Sequence, residues 1–247
     1  MIKVRVYFSP AQLDELELRD KTIVVIDVLR ASTTITYAMA AGAREVIPVA
    51  SVDQAMKIVG NLFSTATMLC GERGGKRIEG FKLGNSPAEY TPEVVEGKSL
   101  ILTTTNGAVA LTKSKYARHC YISSFVNLSA TARVLNEQND LHDTGLIIIC
   151  SGRENDFSLE DATCAGMLLA ALSKTQELHL TDSARTVLSI AHEYAANILQ
   201  TLQQSDHGQY LTSIGFAEDI VTASQLDSVP LVPVLEQTVI KRKITFD

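Results

Sequence analysis

The hydrophobic pattern of the chain alternates between short, mostly apolar runs and amphipathic stretches. Such runs recur at residues 23–28, 45–49, 66–70, 99–103, 119–123 and 145–150, and residues 1–7 alternate polar with apolar side chains. Unbroken apolar runs of this kind are typical of parallel strands that are covered on both faces, and the stretches between them have helical spacing. The pattern predicts an α/β fold with three layers (α/β/α), in which helices cover both faces of a mostly parallel central sheet.

The C-terminal portion has a different pattern, which becomes helical from about residue 178. Helical spacing over 184–202, with Thr181 or Ser183 as the cap, and again over 216–226 predicts two helical segments. No linker-like stretch separates them from the rest, so we expect one α/β domain over residues 1–247.

Two shorter helices are predicted where serine is followed by proline. Ser9 and Pro10 open one that extends to residue 18, and Ser86 would cap another whose first turn contains Pro87. These helices are predicted from capping chemistry more than from periodicity.

Composition limits the functional classes. The chain has 46% hydrophobic residues but no apolar run of the ~18–20 residues that a membrane span needs, and residues 1–7 lack the apolar core of a signal peptide, so we expect a soluble, cytoplasmic protein. The four cysteines form no CxxC pair and are interpreted as reduced, mostly buried thiols. A net charge of −6 without aromatic and basic clusters argues against nucleic acid as a partner. Homo-oligomerisation is left open.

The first candidate for chemistry is the strand, turn and helix at residues 22–37. Asp27 ends the apolar strand, and Arg30, Ser32 and Thr33 open the helix. Helix N-termini at the carboxyl edge of such a sheet bind anions, so Arg30 and the two hydroxyls suit a phosphate or sulfonate. Asp27 suits a cation ligand or a nucleophile. Equally, Asp27 could only cap the helix or pair with Arg30.

A glycine-rich loop at residues 71–87 follows the third predicted strand. Its five glycines and four basic residues indicate a shaped loop with a locally positive field, and its site candidates are Glu72, Arg73, Asn85 and Ser86. The alternative is a mobile, solvated excursion without a functional role.

The turn at Thr105-Asn106-Gly107 repeats the arrangement of the first unit. An apolar strand ends in hydroxyl and amide side chains, glycine permits close backbone approach, and a helix follows. Taken alone, this tripeptide is also ordinary turn chemistry.

A fourth polar segment follows the sixth predicted strand. It contains Ser151 and Gly152, and Ser158 would cap the next helix, with Glu160 and Asp161 at its second and third positions. Acidic residues at these positions often only complement the helix dipole.

Because the carboxyl ends of parallel strands share one edge of a sheet, we expect these segments to form one pocket. The pocket would contain carboxylates that bind a hard cation such as Mg²⁺ and hydrogen-bond donors that bind an oxyanion. Enzymes that transfer phosphoryl groups use both. Three known signatures are absent: a DxD pair at Asp27, a cysteine with arginine six residues later, and GxxxxGK[ST]. Their absence disfavours the main phosphatase and NTPase mechanisms. His179, His192 and His207 are interpreted as surface or packing residues.

Five ordered motifs together resemble the 2-phosphosulfolactate phosphatase family. They are DVLRASTTI (27–35), GERGGKRIEGFKLGNSPAEY (71–90), TTTNGAVAL (103–111), FSLEDATCAG (157–166) and SDHG (205–208). The resemblance implies an α/β/α, Mg²⁺-dependent hydrolase that converts (2R)-2-phospho-3-sulfolactate to (R)-3-sulfolactate and phosphate in coenzyme M biosynthesis. The chain departs from the family pattern at Lys82, at Ala108 and in the looser loop 152–155, which bears on the exact substrate.

The resemblance and the residue chemistry together lead to a hypothesis for the site. Asp27, with Glu72 or Glu160, would hold Mg²⁺, and Asp161 or Glu160 would activate water unless Asp27 is itself a covalent nucleophile. The substrate-binding candidates are Arg30, Ser32, Thr33, Arg73, Asn85, Ser86, Thr105, Asn106, Gly107, Ser151 and Gly152. Two rival functions stay open: a phosphatase for another small anionic phosphate monoester, and a non-catalytic anion-binding protein on the same fold.

Overall fold

The computed structural model of the protein describes residues 1–62 and 66–243. The strands are β1 (Ile2–Tyr7), β2 (Thr22–Ile26), β3 (Glu45–Pro48), β4 (Thr67–Arg73), β5 (Lys76–Arg77), β6 (Ser99–Thr103), β7 (His119–Ser123), β8 (Leu146–Cys150), β9 (Leu178–Leu180), β10 (Pro233–Glu236) and β11 (Val239–Arg242). The helices are α1 (Ala31–Ala40), α2 (Val52–Leu62), α3 (Pro92–Val95), α4 (Gly107–Lys113), α5 (Leu128–Asn136), α6 (Leu141–Thr144), α7 (Leu159–Leu172), α8 (Asp182–Tyr194), α9 (Ile198–Gln204), α10 (Asp206–Ser213) and α11 (Ala217–Ala223).

The predicted α/β fold with a mostly parallel sheet is confirmed. The strand order is β5-β4-β6-β3-β11-β10-β7-β2-β8-β1-β9. Two parallel groups, β4-β6-β3 and β7-β2-β8-β1-β9, flank the antiparallel hairpin β10-β11. The hairpin pairs antiparallel with both groups, through Val234 opposite Tyr121 and Ile240 opposite Val46. It follows that the two parallel groups run in opposite directions.

The apolar core lies on both faces of the sheet, as the three-layer prediction requires. In β2, Val24 and Ile26 pack into the cluster that includes Leu168 of α7. The alternate residues of the same strand pack into the cluster that includes Ile35 of α1. Side chains in a strand point to opposite faces in turn, and because β2 is buried on both faces its sequence is apolar from Ile23 to Ile26.

The helical C-terminal portion is present, but the chain then returns to the sheet. Helices α8 to α11 follow the edge strand β9, and residues 233–242 form the central hairpin that sequence analysis did not predict. The turn between its strands is Gln237-Thr238, in which Gln237 has φ of 60°. This turn lacks the Asn-Gly or Asp-Gly pair that usually marks a tight hairpin, so the sequence offers little local signal.

The predicted length of the two helices that begin with serine and proline was wrong. Near the N-terminus only a single 3₁₀ turn forms, Pro10–Gln12, which Ser9 caps. The second is also one 3₁₀ turn, Pro87–Glu89, and the Ser86 side chain makes no capping bond. One proline and one cap fix a single turn, but a longer helix needs an apolar stripe to bury.

Two other predicted caps are confirmed. Ser158 Oγ accepts a hydrogen bond from the Asp161 N–H at the start of α7, and Thr181 Oγ1 accepts one from the Ala184 N–H at the start of α8. Among the described residues, no helix combines the length and the apolar character required to cross a bilayer.

Candidate active site

A cavity lies where the polar segments of both strand groups meet. The turn after β2, the loop after β4, the turn after β6, the loop after β8 and helix α10 surround it. Its lining residues are Asp27, Leu29, Arg30, Glu72, Gly74, Gly75, Asn85, Thr104, Thr105, Asn106, Arg153, Glu154, His207 and Tyr210. The predicted convergence of segments therefore occurs, although the sheet is not uniformly parallel.

Contact between α1 and α4 brings the two strand groups together at this cavity. These helices follow β2 and β6, and they pack against each other. Their first turns meet at Gly107, where a Cβ atom would lie 2.5 Å from Asp27 Oδ2 and 2.7 Å from the Cβ of Ala31. Because real Cβ contacts are never that short, only glycine allows this approach.

The turn after β2 is stabilised by its own side chains. Asp27 Oδ1 accepts a hydrogen bond from the Ala31 N–H at 3.1 Å, Ser32 Oγ accepts one from the Asp27 N–H at 3.0 Å, and the Thr33 hydroxyl donates to the Val28 carbonyl at 2.8 Å. Ser32 and Thr33 therefore use their hydroxyls to hold the backbone of this turn. Asp27 Oδ1 caps the first turn of α1, whereas Oδ2 makes no hydrogen bond within the described residues.

Arg30 pairs with a distant carboxylate instead of Asp27. Its guanidinium donates from Nη1 to Asp219 Oδ2 at 2.6 Å and from Nη2 to the Gly75 carbonyl at 2.5 Å, and it stacks on the Phe216 ring. The Arg30 and Asp219 side chains are only 2% and 4% exposed, and the Ser86 hydroxyl donates to Asp219 Oδ1. This network joins α11, the glycine-rich loop and the turn after β2.

Glu72 clamps the glycine-rich loop to the turn after β6. Its Oε1 accepts the Thr105 N–H and its Oε2 accepts the Gly75 N–H, both at 2.7 Å. Arg73 lies outside the cavity lining and donates to Thr103 Oγ1. The buried Oδ1 of Asn85 has no hydrogen-bond partner among the described residues. A structured loop, as opposed to a solvated excursion, therefore borders the cavity.

Asp161 ties two of the site's turns together. Its Oδ1 accepts the Val28 N–H at 2.8 Å and its Oδ2 accepts the Gly152 N–H at 3.1 Å. Its neighbour Glu160 is different, because its Oε2 is buried and unpartnered among the described residues while its Oε1 lies 3.4 Å from His207 Nδ1. Glu160 faces a second cavity, which shares Arg153, Glu154 and His207 with the first.

His207 is a site residue that sequence analysis missed. It stands near the start of α10, where Ser205 Oγ accepts the Gly208 N–H at 3.0 Å. A Cβ atom on Gly208 would lie 1.7 Å from the Leu202 carbonyl oxygen, so glycine lets α10 pack closely enough to bring His207 to the cavity. The motif SDHG was the only sequence signal for it.

Burial and mutual repulsion perturb the acidic groups of the site. The pKa of Asp27 is raised to about 6, mainly by burial. The charge of His207 and the hydrogen bond from the Ala31 N–H act to lower this pKa, whereas the charges of Glu72 and Glu160 add to the increase. Burial, followed by the charges of Asp27 and Glu160, raises the pKa of Asp161 well above its usual value. For Glu160, burial acts against ionisation, but the hydrogen bond and charge of His207 outweigh it and lower the pKa. The site therefore concentrates negative charge that His207 offsets only in part.

Comparison with known proteins identifies the family. A family model described as 2-phosphosulpholactate phosphatase matches residues 7–238. This chain belongs to that family. A protein named probable 2-phosphosulfolactate phosphatase from Caldanaerobacter subterraneus subsp. tengcongensis is 35% identical over 243 residues, which are 98% of this chain and 99% of the relative. Similarly named proteins from Carboxydothermus hydrogenoformans (38% over 232 residues, 94% and 92%) and Clostridium novyi (36% over 233 residues, 94% and 96%) also match.

The resemblance drawn from the five motifs is thus confirmed for this member of the 2-phosphosulpholactate phosphatase family. Of the site residues predicted from sequence, those that line the first cavity are Asp27, Arg30, Glu72, Asn85, Thr105 and Asn106. Glu160 lines the second cavity. Those that line neither cavity are Ser32, Thr33, Arg73, Ser86, Gly107, Ser151, Gly152 and Asp161. Several of these, including Ser32, Thr33 and Asp161, hold the turns around the cavity in place.

The acidic residues do not form a closed metal cage. Within residues 1–62 and 66–243, no group of three or more His, Cys, Asp or Glu side chains has the geometry to hold a metal ion. Mg²⁺ rarely needs such a cage, because it usually keeps several waters and takes one or two carboxylates together with substrate phosphate oxygens. The unengaged carboxylate oxygens of Asp27 and Glu160 are ligand atoms of the type that Mg²⁺ prefers.

Proposed function

We propose that this protein hydrolyses the phosphate ester of (2R)-2-phospho-3-sulfolactate and releases (R)-3-sulfolactate and phosphate. Family membership and the names of the relatives support this substrate. The observation that carries the proposal is Asp27, a buried carboxylate with one unengaged oxygen in a cavity that Arg153 and His207 also line. Such a site pairs a nucleophile or cation ligand with groups that bind anions.

We propose Mg²⁺ as the cofactor, held by Asp27 with Glu160 or Glu72. A bound cation would give the buried Glu160 Oε2 a partner, and it would favour the ionised form of Asp27, whose pKa is raised first by burial and then by the charges of Glu72 and Glu160. Glu72 already accepts two N–H bonds, so it would contribute its remaining lone pairs. When bound, the ion would supply positive charge that offsets the charge of the phosphoryl group.

The protein's own groups would then perform three tasks. In one version Asp27 Oδ2, which is free in the cavity, would attack phosphorus while the ester P–O bond breaks; the sulfolactate oxygen would take a proton from water, and a second water would hydrolyse the aspartyl phosphate to phosphate and the free carboxylate. In the other version Glu160 would take a proton from a water that attacks phosphorus directly as the same P–O bond breaks. Asp161 would hold the turns after β2 and β8 at a fixed separation through its two backbone hydrogen bonds. Asn106, whose Oδ1 accepts the Glu154 N–H, would orient the oxyanion through its side-chain Nδ2 donor.

The pathway and cell compartment are part of the proposal. Sulfolactate as product would assign the protein to coenzyme M biosynthesis, and a cytoplasmic location with a small anionic metabolite as partner agrees with that assignment. Both remain predictions.

Phosphate release from a panel of esters tests the proposed function. The purified protein should release phosphate from 2-phosphosulfolactate with Mg²⁺, lose this activity in EDTA and regain it when Mg²⁺ is restored, because the carboxylate cluster needs a cation to admit an anion. If another small phosphate ester gives a higher kcat/KM, that ester is the substrate in place of 2-phosphosulfolactate. Thermal stabilisation by sulfolactate without phosphate release from any ester would instead establish a non-catalytic anion-binding protein.

A further inference from the structure

The basic side chains that line the first cavity differ in whether a carboxylate already pairs with them. Among the described residues these are Arg30, Arg153 and His207. Arg30 forms an ion pair with Asp219 at 2.6 Å, and His207 lies 3.4 Å from Glu160. No described carboxylate oxygen lies within 4.0 Å of the Arg153 guanidinium. Arg153 therefore brings uncompensated positive charge to the cavity.

The backbone at Arg153 is fixed by a tight turn. Arg153 and Asp156 exchange two backbone hydrogen bonds, of 3.1 and 2.8 Å, around Glu154 and Asn155, whose φ values are 52° and 68°. The Glu154 N–H also donates to Asn106 Oδ1 at 3.1 Å. The turn that carries Arg153 is thus attached to the turn after β6, which also lines the cavity.

The Arg153 side chain is held by α10. Its guanidinium carbon lies 4.5 Å from the centre of the Tyr210 ring, and the Tyr210 hydroxyl donates to the Gly74 carbonyl at 2.9 Å. One weak bond, Nη1 to the Asp206 carbonyl at 3.4 Å, is the only hydrogen bond of this guanidinium within the described part of the chain. A stacked guanidinium keeps its in-plane N–H groups available, and their fork matches two oxygens of an anionic group.

We propose that Arg153 binds the sulfonate of the substrate and determines the preference for sulfonated phosphate esters, with Tyr210 as its positioning residue. This inference rests on the proposed function, in which one substrate carries phosphate, carboxylate and sulfonate. Such a substrate needs a cation apart from those that serve the phosphate. Arg153 meets this need because it borders both cavities and pairs with no carboxylate of residues 1–62 and 66–243.

A cycle of two enzymes and two substrates tests the proposal. Wild type and Arg153→Gln are assayed with 2-phosphosulfolactate and with 2-phospholactate, which has a hydrogen atom in place of the sulfonate. We expect Arg153→Gln to lower kcat/KM for the sulfonated ester about 10²-fold, mainly through KM, since a charge-assisted hydrogen bond is lost. For 2-phospholactate the loss should be less than about 3-fold, because the lost contact has no counterpart there. An equal loss on both substrates, or no loss on either, would overturn the assignment.

Control variants separate a specific contact from a general change of charge. Arg185→Gln removes an exposed arginine of α8 and should change neither substrate's kinetics. Tyr210→Phe keeps the ring and should preserve the preference, whereas Tyr210→Leu removes the stacking surface and should reduce it. If both tyrosine variants retain the full preference, Tyr210 has no positioning role.

A binding measurement keeps the inference separate from the proposed function. Calorimetric titration with 3-sulfolactate requires no turnover. Weaker binding by Arg153→Gln than by wild type, with unchanged binding by Arg185→Gln, supports the sulfonate contact even if phosphate release fails. Equal binding by all three proteins rejects the contact even if phosphate release succeeds.

Discussion

The Asp27→Asn variant is expected to lose at least about 10³-fold in kcat for 2-phosphosulfolactate. Asparagine has the same shape and keeps the Oδ1 acceptor for the Ala31 N–H, but it removes the negative charge and the unengaged Oδ2. Both proposed roles of Asp27, as cation ligand and as nucleophile, need that oxygen. Steady-state phosphate release with saturating Mg²⁺ measures the loss.

A matched substitution controls for the change of side chain. Asp143→Asn alters an exposed aspartate of α6 and should retain wild-type kcat. Full Mg²⁺-dependent turnover by Asp27→Asn would eliminate both roles of Asp27 together.

The same variant should be more stable than wild type in metal-free buffer at pH 7.5. Burial raises the pKa of Asp27 from 3.8 to about 6, so the unfolded chain releases this proton at a lower pH than the folded protein does, and rising pH favours unfolding. The penalty is absent below about pH 4, where Asp27 is neutral in the folded and unfolded chain, and it grows between about pH 4 and 6. Urea unfolding in EDTA should show Asp27→Asn to be more stable by about 2–3 kcal/mol at pH 7.5 and equal to wild type near pH 4. A less stable variant at pH 7.5 would contradict the assigned environment of Asp27.

The second large effect is expected at Asp219, which lies 189 residues from its partner Arg30. Asp219→Ala should reduce the free energy of unfolding by about 3–5 kcal/mol, because it leaves the buried guanidinium without a counter-charge. The Ser86 hydroxyl would lose its acceptor as well. Urea unfolding monitored by circular dichroism measures the change.

An exposed ion pair supplies the comparison for Asp219. Glu236 and Lys241 pair at 3.4 Å with side chains that are 61% and 53% exposed, so Glu236→Ala should change the free energy of unfolding by less than about 1 kcal/mol. Similar small changes in both variants would show that the Arg30 network does not hold α11 against the glycine-rich loop.

Much of the architecture could be predicted because its signals are local. The bounds of β6 and β7 coincide with the predicted runs, and Ser158 and Thr181 cap α7 and α8 as expected. The central hairpin was missed because its strands are four residues each and its turn has no strong turn residue. Because the hairpin sets the relative direction of the two strand groups, their opposite directions could not be predicted either.

The site was predictable in outline but not in its pairings. Polar residues at strand ends correctly indicated the segments that meet, but a shared carboxyl edge explains this only within each strand group, because the two groups run in opposite directions. The groups are joined at the site by the contact between α1 and α4 at Gly107. Partners such as Asp219 for Arg30 and His207 for Glu160 come from distant helices, and no local pattern encodes them. For the same reason, the sequence could not distinguish Asp161, whose two oxygens are both engaged, from Glu160, which keeps one oxygen free.

The central claim is that segments from both strand groups form one site for a multiply charged phosphate ester. A crystal structure of Asp27→Asn with Mg²⁺ and 2-phosphosulfolactate tests it most directly, because this variant should bind the ester without consuming it. We predict electron density for the ester in the first cavity, with phosphate beside residue 27 and Asn106 and sulfonate at Arg153. Density for the ester on another surface, with this cavity filled only by water, would contradict the account.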